Sequence, residues 1–243
     1  PLRDRGGAAP AAGHRALAMG AYQEAMAQFE RALRFADALE DAARAELLER
    51  LSQALHLIGH RPEAYQAAAE AAALRKNGVD DRATAASLSF LAEVAWWAAH
   101  ASEAWSAARE AITLAEPMGD RRELAMAYAT LGRLEMLDGR LREGRANSER
   151  ALELGRRIED AEATAVAIGT IGSIELDLAD EKGWADLDES ARIAREAHFP
   201  QLVDRALHNL GVAAFDWRRH KVAREYFQQM LEHSERSQID LCS

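Results

Sequence analysis

Two histidines, His56 and His60, have a spacing that could bind a metal ion, because they lie four positions apart. On one face of a helix, this spacing would direct two imidazoles at a single zinc ion. Gly59 falls between them at a predicted helix end, however, and no third ligand follows nearby. The pattern therefore predicts a turn or surface role for both histidines, and we expect no bound metal.

The patterns that indicate catalysis are also weak. Pairs of carboxylates such as Glu46 with Glu49 could act as general acid and base, but a chain with 40 acidic residues produces such pairs by chance. The segment GTIG at residues 169–172 has no lysine and lies within a predicted helix, so it indicates close helix packing and not a phosphate-binding loop. The sequence also contains no G-x-S-x-G or H-E-x-x-H motif. We therefore expect no enzyme activity and no cofactor.

The adjacent tryptophans Trp96 and Trp97 are the residues best suited to binding a ligand. Neighbouring side chains on a helix diverge by about 100°, so the two indoles cannot both enter the same helix–helix contact. An exposed indole close to Glu93 and Arg133 would combine an aromatic anchor with charges that orient a ligand. The alternative is that both indoles pack in the core.

The helices that would position these residues follow from small residues that recur every 39 or 40 positions. The first column of small residues is Gly13, Ser52, Ala92, Gly132, Gly172 and Gly211. The second column follows eleven or twelve positions later and is Ala25, Ala64, Ala104, Gly144, Gly183 and Ala223. Two antiparallel helices need small residues where their backbones approach most closely, and the period is typical of repeat arrays. Trp105 and Trp184 each follow the second column by one position and are predicted to fill space between repeats.

Apolar residues at three- and four-residue spacing predict helices throughout, and we find no strand pattern. The predicted helices cover residues 10–19, 21–37, 40–58, 62–76, 81–98, 101–116, 120–138, 140–158, 160–179, 183–197, 200–217 and 219–233, with a last partial helix from 235. Residues 1–9 are predicted to be a linker or frayed end, 10–234 the repeat array, and 235–243 the start of an incomplete further repeat. This ending suggests a piece of a longer protein.

Glycine, aspartate and proline mark the predicted helix ends. The glycines at turns within helix pairs, where a left-handed residue is favoured, are Gly20, Gly59 and Gly139. The predicted N-cap residues are Asp80, Asp120 and Asp160. All five prolines are predicted to lie outside helix interiors, at Pro1, Pro10, Pro62, Pro117 and Pro200.

The segment GAYQEAMAQFERAL at residues 20–33 resembles the tetratricopeptide repeat, in which glycine, aromatic and small residues recur at set offsets. The matching positions are Gly20, Tyr22, Ala25, Phe29 and Ala32. Residues 131–132 (LG) and 139–144 (GRLREG) match the first-helix part of the pattern. The resemblance implies an all-α fold, a right-handed α-α superhelix of the tetratricopeptide (TPR-like) solenoid type. It would contain six helix pairs of about 40 residues and a partial seventh.

A narrower resemblance concerns large ATP-binding LuxR-type transcriptional regulators. Their helical-repeat region is similar to residues 27–39 (AQFERALRFADAL), 44–59, 123–139 and 188–197 of this chain. In that family a signal-transduction ATPase precedes the repeats and a DNA-binding helix-turn-helix follows them, and the repeats bind an inducer or a partner protein. The sequence in hand contains neither flanking domain, and it has no G-x-x-x-x-G-K-[ST] loop. ATP hydrolysis and operator binding are therefore not implied for it.

Composition narrows the range of partners. A net charge of −10 argues against a DNA-binding surface, which needs clustered basic residues. The single Cys242 excludes a disulfide framework and suits a reducing cytosol. No apolar run approaches the roughly 18 residues of a membrane span, and the start of the chain has no signal-peptide pattern. We expect a cytoplasmic protein that contacts neither nucleic acid nor membrane.

In a solenoid of this type the first helix of each pair is expected to line a concave groove. The helical period of about 3.6 residues predicts which positions close to the first column face that groove. The residues predicted to bind a ligand are Glu49, Gln53, Ser89, Glu93, Trp96, Trp97, Arg133, Ser173, His208 and Asn209. Further residues predicted to face the groove are His56, Met136, Asp177, Val212 and Phe215. We expect a peptide or protein segment to bind there, with the chain acting as a sensor or scaffold in a bacterial regulator. A small-molecule inducer and self-association through uncapped ends are the alternatives.

Overall fold

A computed structural model of the chain describes residues 3–35 and 39–239, with side chains described for 9–35 and 39–235. In these residues there are twelve α-helices, one 3-10 turn at Glu116–Met118 and no strand, so the prediction of an all-α fold is confirmed. The helices are α1 (Arg3–Ala18), α2 (Tyr22–Leu33), α3 (Asp41–Leu57), α4 (Arg61–Lys76), α5 (Asp81–Trp97), α6 (Ala101–Ala115), α7 (Arg122–Leu137), α8 (Leu141–Arg157), α9 (Ala161–Asp177), α10 (Lys182–Glu196), α11 (Pro200–Asp216) and α12 (His220–Ile239).

The helices belong to two compact units. Unit 1 contains α1–α6 and ends at Ala115, and unit 2 contains α7–α12 from Glu116 to Ile239. Within each unit the helices form consecutive pairs, α1 with α2 through α11 with α12, and each pair packs on the next pair of its unit. The six predicted helix pairs are therefore present, three in each unit.

The two columns of small residues meet where the helices of a pair cross. In the second pair, the Ser52 hydroxyl donates a 2.7 Å hydrogen bond to the carbonyl oxygen of Ala64. In the fourth pair, a Cβ added to Gly132 would lie 2.9 Å from the carbonyl oxygen of Gly144. Such a distance is too short for a methyl group against backbone, so these crossings require the small residues that the period predicted.

At two crossings the first-column glycine also lies against an aromatic ring from further along the second helix. A Cβ added to Gly13 would lie 2.7 Å from Cε1 of Phe29, sixteen positions later. The same offset relates Gly211 to Phe227, whose Cε1 would lie 2.6 Å from an added Cβ. Where the column residue is larger, the residue at this offset is alanine, as in the pairs Ser52 with Ala68 and Ala92 with Ala108. The volume at the crossing is thus shared between the two helices.

All six turns within pairs contain a residue with positive φ. The predicted glycines take this role in three of them, with φ of 68° at Gly20, 82° at Gly59 and 77° at Gly139. The other three turns use Ala99, Ala179 and Arg218, with φ of 65°, 61° and 57°. A side chain in this left-handed region crowds the following carbonyl, which costs about 1 kcal/mol.

Replacing Ala179 with glycine is expected to stabilise unit 2 by about 1 kcal/mol, because glycine adopts a positive φ without this crowding. A matched control is Ala146→Gly, an equally exposed alanine in the interior of α8. That change is expected to destabilise the protein by about 1 kcal/mol through loss of helix propensity. Urea unfolding of the two variants measures both changes, and a decrease in stability for Ala179→Gly would contradict the strain argument.

Two of the three predicted N-caps are confirmed. The carboxylate of Asp80 accepts a 3.1 Å hydrogen bond from the backbone N–H of Ala83, and that of Asp160 accepts one of 2.8 Å from Ala163. The prediction for Asp120 is wrong, because α7 begins one residue later and Arg121 occupies the N-cap position. The Asp120 carboxylate instead pairs with the guanidinium of Arg157 at the end of α8.

The chain ends differ from the predicted boundaries. The first helix begins at Arg3 and not at residue 10, so residues 3–9 are helical and Pro10 lies inside α1. An alanine-rich stretch that buries Ala9 and Ala16 outweighs the hydrogen bond lost at proline. At the other end, α12 continues through residues 235–239. The sequence had predicted that one helix ends before residue 235 and that another begins there. The remainder of that predicted element, 240–243, lies outside the described residues, as does Cys242.

Candidate functional site on the first helices of unit 2

Three first helices lie side by side in unit 2, because α9 contacts α7 and α11 as well as its own partner α10. An open depression lies on the surface of these helices, and Leu187 and Ser190 of α10 complete its lining. We refer to it as the pocket. We call this surface the first-helix face of unit 2. Its rim carries the polar side chains Arg133 of α7 and Arg205 and Asn209 of α11, and its lining includes the apolar side chains of Met136 and Val166.

The floor of the pocket contains small residues that pack closely and form hydrogen bonds within the protein. A Cβ added to Gly169 would lie 2.8 Å from the hydroxyl oxygen of Ser190, so glycine is needed at this contact. The Ser190 hydroxyl donates a 2.7 Å hydrogen bond to the Ala165 carbonyl, and the Thr170 hydroxyl donates one of 2.9 Å to Val166. The prediction that GTIG is a helix-packing segment is therefore confirmed. The Ser190 and Thr170 hydroxyls both donate to backbone carbonyls of α9.

A hydrogen bond joins two of the residues predicted to bind a ligand. The Asn209 side-chain amide donates to the Ser173 hydroxyl at 3.0 Å, and that hydroxyl donates to the Gly169 carbonyl at 2.9 Å. The bond crosses from α11 to α9 and fixes the Asn209 amide at the edge of the pocket. Arg133, Ser173 and Asn209, which are far apart in sequence, therefore share one surface.

The other predicted residues of unit 2 lie outside the pocket. His208 is exposed, and its ring lies against Phe227 of α12 with centroids 6.0 Å apart. Val212 and Phe215 are exposed on α11, by 40% and 59%. These two apolar side chains extend the first-helix face beyond the pocket, toward the end of α11.

An acidic pair lies further along the same face. Asp177 follows Ser173 by one helical turn on α9, and Asp216 follows Asn209 by two turns on α11. Partial burial raises the pKa of the Asp177 carboxyl, and the neighbouring charge of Asp216 raises it further. The face therefore has arginines at one end and two mutually repelling carboxylates at the other.

Replacing Asp216 with asparagine is expected to lower the pKa of Asp177, because one of the two causes that raise it is removed. Because the pKa of Asp177 is higher in the folded protein than in the unfolded chain, the folded state is favoured while this carboxyl is protonated. This stabilisation is lost as the pH rises through the folded-state pKa of Asp177. The variant should therefore be more stable than the natural chain above that pH and equally stable below it. A carboxyl carbon NMR titration with thermal melts measures both effects, and the pKa of Asp188, raised chiefly by burial, should not move.

The predicted residues of unit 1 are engaged by their own neighbours. Glu49 accepts two 3.0 Å hydrogen bonds from the guanidinium of Arg75 on α4. Gln53 accepts one of 3.3 Å from Arg50. The placement of Ser89 in a groove is wrong, since it is 6% exposed and its hydroxyl donates to the carbonyl of Ala85 one turn earlier.

Both adjacent tryptophans are half-buried in unit 1. The Trp96 ring packs edge-to-face against Trp105 of α6 at 6.2 Å, and the Arg61 guanidinium lies 5.5 Å from the centroid of the Trp97 ring. Glu93 is also half-buried on α5. These contacts lie within unit 1, whereas Arg133 belongs to unit 2, so a hot spot that combines them stays a prediction.

The aromatic residues between the last two pairs support the packing role predicted for Trp184. Its ring lies edge-to-face with Trp217 at 5.7 Å and stacks on Tyr226 at 6.4 Å. The Arg219 guanidinium covers both indoles, 5.5 Å and 5.1 Å from their centroids. This cluster fixes α10 against α11 and α12 behind the pocket.

Neither a metal-ligand cluster nor a membrane-spanning helix is found in the part of the chain that the structure describes. Within 3–35 and 39–239, no three histidine, cysteine, aspartate or glutamate side chains converge to hold a metal ion. His56 lies in the last turn of α3 and His60 just precedes α4. No helix in these ranges is long and apolar enough to cross a membrane.

Arg205 lines the pocket as well, although it was not among the residues predicted from the sequence. Arg205 precedes the first-column residue Gly211 by six positions, whereas the predicted groove positions lie within about one turn of the column. Val166 has the same offset from Gly172 and also lines the pocket. Both residues lie one further helical turn before the first column, so including that turn in the predicted groove would have identified them.

Comparisons with known proteins give a fold and no sequence family. No family profile matches the chain, and no curated protein sequence matches it. The apo form of RapI superposes with a TM-score of 0.79 at 11% identity, covering 96% of this chain and 84% of RapI. The fold is that of TPR-like repeat proteins.

Two further solved structures share this fold. A Rap protein complexed with competence and sporulation factor superposes with a TM-score of 0.74 at 15% identity, covering 89% of this chain and 60% of that protein. A signal transduction ATPase with a tetratricopeptide repeat sensor from Pyrococcus horikoshii gives 0.60 at 18% identity, covering 90% and 34%. This chain therefore spans about a third of the ATPase.

Proposed function

We propose that this chain is a non-catalytic binding module that holds a peptide or protein segment on the first-helix face of unit 2. The observation that carries the proposal is the pocket, which Arg133, Arg205 and Asn209 line together with apolar side chains. An apolar surface with a few fixed polar groups is the usual make-up of a ligand site. The Asn209 amide, fixed by Ser173, can hydrogen-bond the backbone of an extended segment.

The comparisons support a peptide as the ligand. One similar structure is a Rap conjugation gene regulator in complex with the Phr* peptide, and another is an ATPase with a tetratricopeptide repeat sensor. Together with the resemblance of the helices to LuxR-type regulators, this favours a sensor module in a cytoplasmic bacterial signalling or transcriptional regulator. The Rap likeness concerns the fold, so the identity of the peptide is a separate question.

The experiment is a selection of random peptides on the purified chain, followed by titration calorimetry of the enriched sequences. Asn209→Ala and Arg133→Ala are each expected to weaken binding about tenfold, because each removes a polar contact at a desolvated rim. The matched control is Arg142→Ala, since Arg142 lies on α8 and its side chain is 94% exposed. Equal affinities of all three variants, with unchanged melting temperatures, would refute the site.

A small-molecule inducer is the second candidate, since polar side chains from two helices line the same pocket as apolar ones. The two candidates differ in how far binding extends along the face. A peptide should protect α9 and α11 from hydrogen exchange as far as Phe215, whereas a small ligand should protect only the segments that line the pocket.

A further inference from the structure

Two glutamates occupy the same buried position in consecutive helix pairs of unit 2. Glu135 on α7 and Glu175 on α9 each follow their first-column glycine by three positions, and both side chains are buried. The Glu175 side chain is only 1% exposed, so its carboxylate has lost nearly all contact with water and needs hydrogen-bond donors from the protein. The two crossings share this requirement, and different residues of α8 and α10 meet it.

In the α7–α8 crossing both carboxylate oxygens of Glu135 face donors. The Arg140 guanidinium lies 3.7 Å from Oε1, and the side-chain amide of Asn147 donates a 2.7 Å hydrogen bond to Oε2. Asn147 follows the second-column glycine of α8 by three positions, and in α10 the residue at that offset is Asp186. A carboxylate does not donate as an amide does, and Oε2 of Glu175 is buried without a hydrogen-bond partner among the described residues.

Three distances place Asp186 beside Glu175. A Cβ added to Gly172, three positions before Glu175, would lie 3.0 Å from Cβ of Asp186. The Lys182 ammonium lies 3.2 Å from Oε1 of Glu175 and 3.5 Å from Oδ2 of Asp186. Burial raises the pKa of the Glu175 carboxyl, Lys182 lowers it and Asp186 raises it, and the net change is a rise. Two carboxylates thus lie next to each other at a crossing where one of them is shielded from water.

The neighbouring cations act on the other oxygen of Glu175. Arg145 of α8 lies 3.3 Å from Oε1, the oxygen that the lysine also contacts. Arg145 is shared with Glu149, at 2.9 Å, and with the charge of Asp180. From α11, the indole of Trp217 donates to the α9 backbone and carries no charge. The position at Oε2 that an amide donor fills in the preceding pair is therefore left to the Asp carboxylate of α10.

We infer that Glu175 and Asp186 share one proton across the α9–α10 crossing, and that acid tightens this crossing by supplying it. With the proton on Oε2, Glu175 donates to Asp186, which restores a hydrogen bond equivalent to the one between Asn147 and Glu135. Without the proton, two carboxylates with little water between them repel each other. Both helices line the pocket, so the proton acts on the packing that supports the candidate site, whichever ligand binds there.

Glu175→Gln distinguishes the shared proton from an ordinary buried ion pair, because the glutamine amide keeps a donor toward Asp186 at every pH. Since the pKa of Glu175 is raised in the folded chain, the stability from its proton is present at low pH and is lost as the pH rises through that pKa. The variant should melt roughly 3 °C above the natural chain at neutral pH, as one added hydrogen bond implies, and the difference should vanish in acid. If Glu175 serves only as an ion pair with Lys182 and Arg145, the variant would melt lower at neutral pH, and the inference would be overturned.

Carboxyl-carbon NMR identifies the group that holds the proton. Asp186→Asn places in α10 the amide that α8 has at this offset, so the pKa of Glu175 should fall, because a donor replaces the neighbouring negative charge. The matched control is Asp188→Asn, the same change two positions along the helix, at a carboxyl whose pKa is raised chiefly by burial. This control should leave the titration of Glu175 in place. An unchanged pKa of Glu175 in Asp186→Asn would mean that no proton is shared.

The exchange can also be made in the reverse direction. Asn147→Asp gives the α7–α8 crossing the two carboxylates of the α9–α10 crossing, so its melting temperature should fall more steeply than that of the natural chain between acid and neutral pH. Equal pH profiles would contradict the role of the residue at this offset. None of the substituted positions lines the pocket, so these outcomes are independent of whether the peptide selection succeeds.

Discussion

Replacing Gly183 with alanine is expected to lower the free energy of unfolding of unit 2 by about 2 kcal/mol, although alanine is the better helix former. The added methyl group would overlap the carbonyl oxygen of Gly172 and lie 2.7 Å from Cγ of Leu176. The carbonyl belongs to the backbone of α9 and cannot rotate away, so α9 and α10 must separate. Overpacking costs about 1–3 kcal/mol, and overlap with rigid backbone places this case at about 3 kcal/mol. Subtracting the gain in helix propensity of about 1 kcal/mol leaves a net loss of about 2 kcal/mol.

Gly78→Ala provides the control for this variant. Gly78 is exposed, does not have a positive φ, and a Cβ there would meet only the Arg75 carbonyl, at 3.2 Å. Its replacement should change stability by less than about 1 kcal/mol. Urea unfolding followed by circular dichroism compares the two variants. If Gly183→Ala is as stable as the natural chain, the two helices are not in the close contact that the small columns indicate.

Helix pairing was predictable because it depends on residue size at fixed positions. A glycine or alanine at a crossing is required by the approach of two backbones, and this requirement repeats with every pair. Three turns were predictable for a similar reason. Gly20, Gly59 and Gly139 adopt the left-handed conformation that other residues avoid. By contrast, nothing in the residue types marks Ala99 or Arg218 as left-handed. The helices on either side impose that conformation, and no residue type in the sequence indicates it.

The candidate site was less predictable because the same sequence offset leads to different surroundings. The position three residues before the first column is buried at Ser89, forms the pocket floor at Gly169, and lies against Phe227 at His208. The residues that meet at the crossings also differ in size, since Gly13 and Gly211 lie against phenylalanine rings whereas Gly132 lies against Ser148. A single helical phase therefore selected Arg133 and Asn209, which line the pocket, together with Ser89, which is buried. That the pocket residues bind a ligand stays a prediction.

The chain termini show the limit of local sequence rules. Proline in a helix interior is unfavourable by about 3 kcal/mol, which is why residue 10 was predicted to begin the first helix. The helix nevertheless continues through Pro10, and α12 continues past residue 235. Local rules give the preference of a segment in isolation, and burial of neighbouring residues such as Ala9 can reverse it.

Replacing Phe29 with alanine is expected to have the largest effect on stability, a loss of about 3–5 kcal/mol in unit 1. The Phe29 ring is 0% exposed, lies edge-to-face with His14 at 5.4 Å, and fills the space above Gly13 where α1 and α2 cross. Truncation removes this contact and leaves a cavity that two helix backbones cannot close. Thermal and urea unfolding of the variant measure the loss.

The crossing of α1 and α2 also allows a test of whether volume is shared between the two helices. Gly13→Ala alone should destabilise unit 1, because its methyl group would lie 2.7 Å from the Phe29 ring. Combined with Phe29→Ala, the same methyl group enters the cavity and recreates the alanine–alanine arrangement of Ala92 and Ala108. The double variant should therefore be more stable than the sum of the single changes by about 1 kcal/mol or more. If the changes in the free energy of unfolding of the two single variants simply add, the two residues do not occupy a shared space. The crossings would then depend on their small residues alone.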